Sequence, residues 1–370
     1  MNSATTSVDD EHDDRFLVAL LSLPGIGPNR LSSLLEEHPA HRVWDDLTCG
    51  RPLTIDGVSD DQVAKWRSAA RSISVDDHWS RVDELGIWVA RHGSSRYPER
   101  LRHDVEPPHL IFGLGRALGD EPTVAIVGTR NCTSYGRRCA FEFGAALADA
   151  GVSVVSGLAL GIDAAAHQGV LSVDEPHRAP PVGVVGSGLD IVYPRRNEKL
   201  WAHVAASGLL VSETAPGVGP QKWRFPARNR IIAGLADAVV VIESHEHGGS
   251  LSTVDAAQER DIPVGAVPGP ITSNSSVGTN RLISEGAVPL LSVEDVLFMI
   301  GHSAPQAPLD SNDDIARSSV LLDALGWNPL LFEELCSRVT LSPSEVAVEV
   351  ERLVVDGLCA QSGPWIERVR

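Results

Sequence analysis

The sequence predicts an α/β fold in which helices cover both faces of a parallel β-sheet. Between residues 122 and 290, short runs of β-prone apolar residues alternate with helical patterns, and this alternation is typical of a parallel sheet. The first run, Val124-Ala125-Ile126-Val127, is apolar at every position, which indicates a strand buried on both faces. It ends at Gly128-Thr129-Arg130, and in such sheets a glycine turn at this place faces the ligand crevice.

The N-terminal region is predicted to be helical after a short disordered tail. Residues 1–14 are polar, acidic and without periodicity, which predicts disorder. Residues 15–75 show helical patterns, and the Gly25-Ile26-Gly27 turn between two of them resembles a helix-hairpin-helix, with a fainter echo at 55–64. Asp56, Asp60 and Asp61 flank the second turn and would repel phosphate. We therefore expect a module for packing or protein contact rather than a DNA clamp.

Residues 76–300 are predicted to form the sheet domain. A first strand is expected at 86–90, in a segment that packs on the sheet edge. A loop, Phe225–Arg230, is expected before a helix that begins at Ile231. The other predicted strands are 124–127, 152–156, 182–185, 209–213, 238–242 and 263–269.

The C-terminal part is predicted to be a linker followed by a small domain. Residues 301–316 contain repeated Pro and Ala and read as a linker. Residues 317–370 show three short helices, at about 318–325, 329–338 and 343–356, and a hairpin that turns at Ser362-Gly363-Pro364, as in a winged helix. This domain has 5 basic and 8 acidic residues, so we expect it to bind a partner rather than read DNA.

Composition excludes several classes of protein. The net charge of −18 argues against a general coat for nucleic acid. The chain has no run of 18 apolar residues, and its first residues are unlike a secretory signal. Five scattered cysteines without a CxxC pair indicate neither a zinc site nor a disulfide framework. We therefore expect a cytoplasmic protein that has no metal and no membrane contact.

The charge is distributed unevenly along the chain. Residues 122–290 carry a net charge of −2, and residues 195–230 carry +5. A local cationic patch on an acidic protein can bind a polyanion while the remaining surface repels it. The alternative, in which these basic residues are spread over unrelated surfaces, stays open. The basic residues of the segment are Arg195, Arg196, Lys199, Lys222, Arg224, Arg228 and Arg230.

The predicted strand ends place one candidate site at the carboxyl edge of the sheet. Glycine lets backbone N–H groups approach an anion closely, arginine adds a permanent charge with a planar fork, and asparagine can contact a base or sugar. These features indicate a site for phosphate and base without an obvious catalyst. The candidate DNA-binding residues are Gly128, Thr129, Arg130, Ser156, Gly157, Gly188, Arg195, Arg196, Asn197, Arg228, Asn229, Arg230, Gly249 and Ser250.

Other chemistry is less well supported by the sequence. Asp163 and His167 share one helix face, but a capping Asp with a packed His is the simpler interpretation. His245 and His247 lack a third metal ligand, and Glu243 is the remaining acid–base candidate. No dinucleotide or P-loop fingerprint is present, so no cofactor is predicted. Tyr193 or Phe225 can stack a base, although core packing is favoured for both.

Several motifs in order resemble those of the DNA-processing protein A (DprA/Smf) family. Tyr97-Pro98 and Pro107-Pro108 extend the resemblance upstream of residue 120. The motifs are Val124-Ala125-Ile126-Val127-Gly128-Thr129-Arg130, Ser156-Gly157-Leu158-Ala159-x-Gly161-Ile162-Asp163-x-x-Ala166-His167, Gly188-Leu189-Asp190-x-x-Tyr193-Pro194-x-x-Asn197, Phe225-Pro226-x-Arg228-Asn229-Arg230-Ile231-Ile232-Ala233-Gly234-Leu235, Gly249-Ser250-Leu251-x-Thr253 and Val267-Pro268-Gly269.

The resemblance implies an extended Rossmann-like domain, flanked by an N-terminal helix-hairpin-helix or SAM-like domain and a C-terminal winged-helix-like domain. It implies a non-enzymatic homodimer that binds single-stranded DNA, protects it and loads the RecA recombinase onto it in natural transformation. The family's DNA contacts carry over to Gly128, Thr129, Arg130, Arg195 and Arg196. The alternative is a nucleotide enzyme of the phosphoribohydrolase type, but the loop that begins at Gly248 lacks the glutamate that such enzymes need.

Overall fold

The computed structural model describes residues 8–302 except 37, 54, 56, 176 and 177, and residues 320–368 except 327, 328, 356 and 357. They belong to two compact units, Met1–Ala304 and Pro305–Arg370. No unit boundary falls near residue 75, so the N-terminal helices and the sheet form one unit. Most of the predicted linker, from residue 303 onward, lies outside the described residues. Within the described ranges, no helix is long and apolar enough to cross a bilayer.

The described part of the first unit begins with five helices. The first begins at Val8, so the prediction of disorder for residues 1–14 is wrong from Val8 onward. Leu20, Leu47 and Trp66 are fully buried and share one hydrophobic core with Phe112 and Leu210 of the sheet. This shared core explains why the helices do not form a separate unit. The helices are α1 (Val8–Leu21), α2 (Pro28–Leu35), α3 (Ala40–Cys49), α4 (Asp60–Ala70) and α5 (Val75–Glu84).

Among the residues that the structure describes, nine strands form the sheet of the first unit, in the order β1-β2-β6-β5-β4-β3-β7-β8-β9. Strands β3 to β9 pair in parallel, and β1 and β2 add an antiparallel edge. The strands are β1 (Trp88–Arg91), β2 (Leu110–Gly115), β3 (Thr123–Val127), β4 (Ser153–Ser156), β5 (Val182–Val185), β6 (Leu209–Ser212), β7 (Ala238–Val241), β8 (Val264–Ala266) and β9 (Val288–Pro289). The predicted parallel α/β sheet is confirmed; β2 and β9 were not predicted as strands.

In the described part of the first unit, eight further α-helices follow. One prediction about them is wrong: α10 begins at Arg224 and not at Ile231, so Arg228, Asn229 and Arg230 lie on the helix and not before it. Pro226 lies in the first turn, where the missing N–H removes no helical hydrogen bond. The helices are α6 (Glu99–Arg102), α7 (Ser134–Asp149), α8 (Ile162–Ser172), α9 (Glu198–Ser207), α10 (Arg224–Gly234), α11 (Leu251–Gln258), α12 (Val277–Ser284) and α13 (Val293–Met299).

The strand order places a crevice at the centre of the sheet. The chain runs outward from β3 through β4 and β5 to β6, then returns to β7 beside β3 and runs outward in the opposite direction. Ligands of open α/β sheets bind beyond the carboxyl ends of the strands at such a reversal. The turns that follow β3, β4, β5 and β7 therefore form the region where the candidate site is expected.

The second unit is a small α/β fold with its own core. The predicted hairpin at residues 362–364 is present between β11 and β12, and Gly363 has a φ of 62°. Leu321, Leu335, Val346 and Ile366 are fully buried. The elements are α14 (residues 320–325), β10 (Leu330–Leu331), α15 (Phe332–Arg338), α16 (Pro343–Val355), β11 (Cys359–Ser362) and β12 (Trp365–Arg368).

Candidate nucleic-acid interface

The turn after β3 is fixed by contacts that require glycine. The N–H of Thr129 donates to the carbonyl of Glu243 at 2.8 Å, which joins the ends of β3 and β7. A Cβ atom on Gly128 would lie 2.6 Å from Cγ1 of Ile162 and 2.8 Å from that same carbonyl oxygen. No larger residue fits there without moving backbone. The turn therefore brings the chain close to α8 and directs Arg130 out of the sheet.

Glu243 holds this turn and is not placed as an acid or base. Its side chain is buried, and its carboxylate accepts hydrogen bonds from the N–H and the hydroxyl of Thr133. Thr133 is also the N-cap of α7, where its hydroxyl accepts from the N–H of Gly136 at 3.1 Å. A carboxylate near a helix N-terminus is stabilised by the helix dipole. Glu243 thus fixes the start of α7 against the end of β7.

Arg130 forms the exposed centre of the candidate site. Its guanidinium lies 5.1 Å from the centre of the Phe225 ring, and the Phe225 ring lies 5.5 Å from that of Tyr193. Tyr193 is 42% exposed, so the expectation that it packs in the core is wrong. Arg130 makes no hydrogen bond or ion pair with any described residue. A cation and two aromatic rings therefore form one platform beyond β3.

A buried arginine, Arg228, stabilises the turn after β4. Arg228 donates from Nη1 to the carbonyl oxygens of Gly157, at 2.9 Å, and of Val184. Asp163 accepts from the N–H of Gly157 at 3.1 Å and of Ala159 at 3.4 Å. Burial lowers the pKa of Arg228 to about 10, and the Asp163 carboxylate opposes this change. Burial raises the pKa of Asp163, and Arg228 opposes that in turn.

Two more predicted site residues support the same turn. Ser156 is buried and donates from its hydroxyl to the carbonyl of Ile126 at 2.6 Å. Asn197 is buried and donates to the carbonyls of Leu158, at 2.8 Å, and of Ala159, at 3.1 Å. Leu158 has a φ of 52°, which is uncommon for a residue with a branched side chain and is found where the surroundings hold the backbone in place. Ser156 and Asn197 therefore shape the wall of the site.

Six predicted site residues do not line the arginine groove described below: Ser156, Gly188, Arg195, Arg196, Asn197 and Arg230. Arg230 is buried and donates from Nη2 to both carboxylate oxygens of Glu213, at 2.7 and 2.8 Å. Gly188 lies in a loop where a Cβ atom would be 2.5 Å from the carbonyl of Ala215. Neither residue lines the space beside Arg130. Arg230 was predicted to contact DNA, and its charge is already paired with the Glu213 carboxylate in this structure.

The exposed cations come from a different part of the segment. Arg195 and Arg196 are exposed on a short 3₁₀ helix that follows the cis Tyr193–Pro194 bond. Lys222 is exposed just before α10. None of the three side chains has a hydrogen bond or ion pair to a described residue. Lys222 was not among the predicted site residues, although it belongs to the segment whose net charge is +5.

The last two predicted residues close the site beside α11. Gly249 is exposed, and its carbonyl accepts from Nδ2 of Asn229 at 3.3 Å. Asn229 also donates to the hydroxyl of Ser252 at 2.8 Å. Ser250 is buried and donates to the hydroxyl of Ser244 at 3.1 Å. The amide of Asn229 thus connects α10 to the start of α11.

These turns enclose two adjoining spaces, together named here the arginine groove. Its parts have open volumes of about 460 and 1590 Å³. Asp163 is the single acidic residue among the described residues that line it, and its carboxylate faces the backbone of the β4 turn. The residues common to both parts are Arg130, Ala159, Tyr193, Phe225 and Arg228. Of the predicted site residues, the lining also includes Gly128, Thr129, Gly157, Asn229, Gly249 and Ser250.

The histidines near the groove do not cluster with other metal-ligating side chains among the residues that the structure describes. Nδ1 of His245 donates to the carbonyl of Asn274 at 3.1 Å. His167 is fully buried, and burial lowers its pKa to about 4. The interpretation of His167 as a packed residue is confirmed by its burial.

Comparison with known proteins connects this geometry to one family. The family model described as DNA recombination-mediator protein A matches residues 88–301. The DNA processing protein DprA of Bacillus subtilis is 37% identical over 215 residues, which are 58% of this chain and 71% of that protein.

Two solved structures are similar to the chain. The X-ray structure of DNA processing protein A from Streptococcus pneumoniae has a TM-score of 0.62 and 32% identity, and the match covers 77% of this chain and 97% of that one. DNA processing protein A from Helicobacter pylori, described for its single-stranded DNA binding mode, has a TM-score of 0.51 and 29% identity over 58% of this chain and 96% of that one.

Proposed function

Because the chain belongs to the DNA recombination-mediator protein A family, we propose that it binds single-stranded DNA in the arginine groove and acts as a non-enzymatic recombination mediator in the cytoplasm. The observation that carries this proposal is the exposed positive charge at one aromatic platform: the Arg130 guanidinium lies against Phe225, and Lys222 lines the same groove. Arg130, Arg195, Arg196 and Lys222 have no anionic partner among the described residues. Phosphates of a bound strand are their natural partners.

The geometry favours a single strand over a duplex. Phe225 and Tyr193 present ring surface beside Arg130, and an unpaired base can stack there while its phosphate meets a guanidinium. A base in a duplex must first be unstacked and unpaired, which costs a few kcal/mol. Gly128 and Gly249 leave backbone N–H groups near the strand's path. We therefore expect little sequence preference and a strong dependence on salt.

The carboxylates near the groove are engaged in structural contacts, which supports a binding role. Glu243 holds Thr133, and Asp163 accepts two backbone hydrogen bonds. The alternative of a phosphoribohydrolase-like enzyme would need a free carboxylate beside the sugar. Incubation with nucleoside monophosphates separates the two functions. Release of free base at an enzymatic rate, which is lost in Asp163→Asn, would establish the enzyme and end the present proposal.

The proposal includes a homodimer, which the edge of the sheet supports. Strand β9 is the last strand and leaves one side unpaired. Leu291 is 80% exposed and Phe298 is 88% exposed, and both follow this strand. Exposed apolar groups beside an open strand edge are typical of interfaces. Light scattering at rising concentration tests this part, and a monomer mass throughout would contradict it. Phe298→Glu should shift the mass toward the monomer.

The decisive experiment is an anisotropy titration of a labelled oligo-dT and of the matching duplex. We expect the single strand to bind about 10-fold or more tightly than the duplex, and Arg130→Ala to reduce only the binding of the strand. Arg42→Ala is the matched control, because Arg42 is exposed on α3 and lines neither part of the groove. Equal binding of both nucleic acids, or equal effects of the two substitutions, would contradict the proposal.

The handover to RecA is the remaining part of the proposal and is supported by the family's description as a recombination mediator. The test adds RecA to strand already covered by a single-strand binding protein. We expect this chain to increase the rate of RecA filament formation, and we expect Arg195→Ala/Arg196→Ala to lose the increase together with DNA binding. An unchanged rate with bound strand present would remove RecA from the proposal.

A further inference from the structure

A second groove lies beside Trp223, next to the arginine groove along the chain. Trp223 immediately follows Lys222, which lines the arginine groove. Its side chain is 40% exposed. The guanidinium of Arg224 lies 4.6 Å from the centre of the indole, and the indole N–H donates to Oε1 of Gln221 at 2.5 Å. One face of a large aromatic ring is therefore supported from behind while part of its surface remains open.

The opposite wall comes from the N-terminal helices. Gly27 approaches the indole so closely that a Cβ atom on it would lie 3.1 Å from Cζ3 of Trp223. Asn29 and Arg30 are exposed beside it at the start of α2, and Nη1 of Arg30 donates to the carbonyl of Gly25 at 2.8 Å. The space between these walls, named the tryptophan groove, has an open volume of about 710 Å³. Its described lining contains one cation and no carboxylate.

The two grooves are connected by a third, smaller space. This space has an open volume of about 380 Å³. It shares Gly186 and Arg228 with the arginine groove, and it shares Gly27 and Trp223 with the tryptophan groove. Glu213 also lines this third space, so a bound strand is not expected to pass through it. The shared lining residues place the two grooves next to each other, and an occupant of both must be longer than one nucleotide.

We infer that the tryptophan groove binds nucleotides of the same DNA strand, beyond those held at Arg130, with a base stacked on Trp223 and a phosphate near Arg30. The inference rests on the proposed function and extends it to the N-terminal helices. Aromatic stacking contributes about 1–3 kcal/mol per base and is indifferent to base identity. Asp60 and Asp61, whose charge argued against DNA contact by this region, do not line the groove.

The first test compares two lengths of oligo-dT. An oligonucleotide of about 6 nucleotides fits within the arginine groove, and one of about 15 reaches the second groove as well. We expect Trp223→Ala to weaken binding of the long strand about 10-fold and to change that of the short strand by less than about twofold. Trp223→Phe keeps a stacking ring and should restore most of the affinity.

The second test introduces a negative charge at an exposed position in the wall of the tryptophan groove. Asn29 is exposed in the first turn of α2, where a glutamate is tolerated by the helix dipole. We expect Asn29→Glu to weaken binding of the long strand about fivefold by repelling phosphate. Arg42→Glu, which places a carboxylate on α3 outside the grooves, should change it by less than about twofold. Photocrosslinking of a long strand that carries 5-iodouracil should give a Trp223 adduct.

Each result distinguishes this inference from the proposed function. If Trp223→Ala and Asn29→Glu leave the long strand unaffected while Arg130→Ala weakens both lengths, the second groove is not a DNA site and the proposed function stands. If Trp223→Ala weakens both lengths equally, the indole acts by holding Gly27 in place, and the inference is wrong. If neither length binds the unmodified chain, the proposed function itself fails.

Discussion

The basic residues between 195 and 230 divide into two groups that do different work. Those on α10, Arg224, Arg228 and Arg230, are buried and donate to protein oxygens. The side chains of Arg195, Arg196, Lys199 and Lys222, by contrast, are exposed and have no hydrogen-bond or ion-pair partner among the described residues. The net charge of +5 in this segment therefore includes buried arginines that bond to the protein itself and exposed basic side chains that are available to a ligand.

The comparison shows that arginine has two roles here: buried arginines stabilise the turns of the site, and an exposed arginine is available to bind a ligand. Arg228 fixes the carbonyls of Gly157 and Val184, which sets the position of two strand-end turns. Arg130 then projects from the turn beside them onto Phe225. Substitution of a buried member should appear first in stability, and substitution of an exposed member should appear in binding alone. The predictions below test this division.

The largest effect is expected for Arg228→Met. Removal of this guanidinium leaves Asp163 without its nearest opposing charge, and leaves the carbonyls of Gly157 and Val184 unpaired. We expect the free energy of unfolding to fall by about 3 kcal/mol or more. Urea denaturation measures this loss, and Lys222→Met serves as the exposed control, with a change below about 0.5 kcal/mol. A similarly small change in the free energy of unfolding of both variants would contradict the division between stabilising and ligand-binding basic residues.

The second effect concerns His167, a buried group on α8. Burial lowers its pKa to about 4, below its value in the unfolded chain, so the unfolded state binds the proton first as the pH falls. Stability contributed by the neutral ring is present above about pH 6.5 and is lost between there and pH 4. We expect His167 alone to contribute a loss of about 2 kcal/mol to the free energy of unfolding between pH 7.5 and pH 5.

His167→Leu isolates this contribution. The pKa of Glu213 is raised to about 6, mainly by burial. As the pH falls from about 6 to about 4.5, Glu213 therefore increases the free energy of unfolding, because the folded state holds the proton more tightly than the unfolded state. The pH dependence of the unmodified chain is the sum of both. The difference between the two chains should therefore equal the histidine contribution, and parallel curves would show that His167 keeps its ordinary pKa.

Sequence patterns predicted the parallel sheet and the glycine turns because both follow from local physical requirements. A buried parallel strand such as Val124–Val127 is apolar on both faces, and Gly128 is the residue that permits the close approach to Ile162. Strand β9, by contrast, has only two residues, and both are exposed. No hydrophobic pattern of that length can predict a strand.

The division among the arginines could not be predicted, since it depends on contacts between distant segments. Arg230 meets Glu213 and the carbonyl of Glu106, which is 124 positions away. Charged side chains at buried positions also hide the apolar periodicity by which the first turns of α10 would have been recognised as helix. The sequence around Trp223 also did not predict a binding groove, because the opposite wall of that groove comes from Gly27, which is distant in the chain.

A moderate effect is expected for Arg195→Ala/Arg196→Ala. Both side chains are exposed and unpartnered, so stability should change by less than about 0.5 kcal/mol. If each contacts one phosphate, the slope of log affinity against log salt falls by about 1.4, since a single-stranded contact contributes about 0.7. Anisotropy titrations with oligo-dT at several salt concentrations measure the slope. A reduced affinity with an unchanged slope would mean that these residues act on shape and not by charge.

The smallest and most specific effect is expected at Arg130, where charge and shape can be separated. Arg130→Ala should lower the salt slope by about 0.7, the value for one phosphate. Arg130→Lys retains the charge but not the planar group that lies 5.1 Å from the Phe225 ring, so its slope should equal that of the unmodified chain while affinity falls by only about threefold. Loss of slope in Arg130→Lys would show that the phosphate contact itself needs the guanidinium fork. Full affinity in that variant would instead mean that the platform with Phe225 contributes nothing to binding, and that the exposed group acts only as a set of independent point charges.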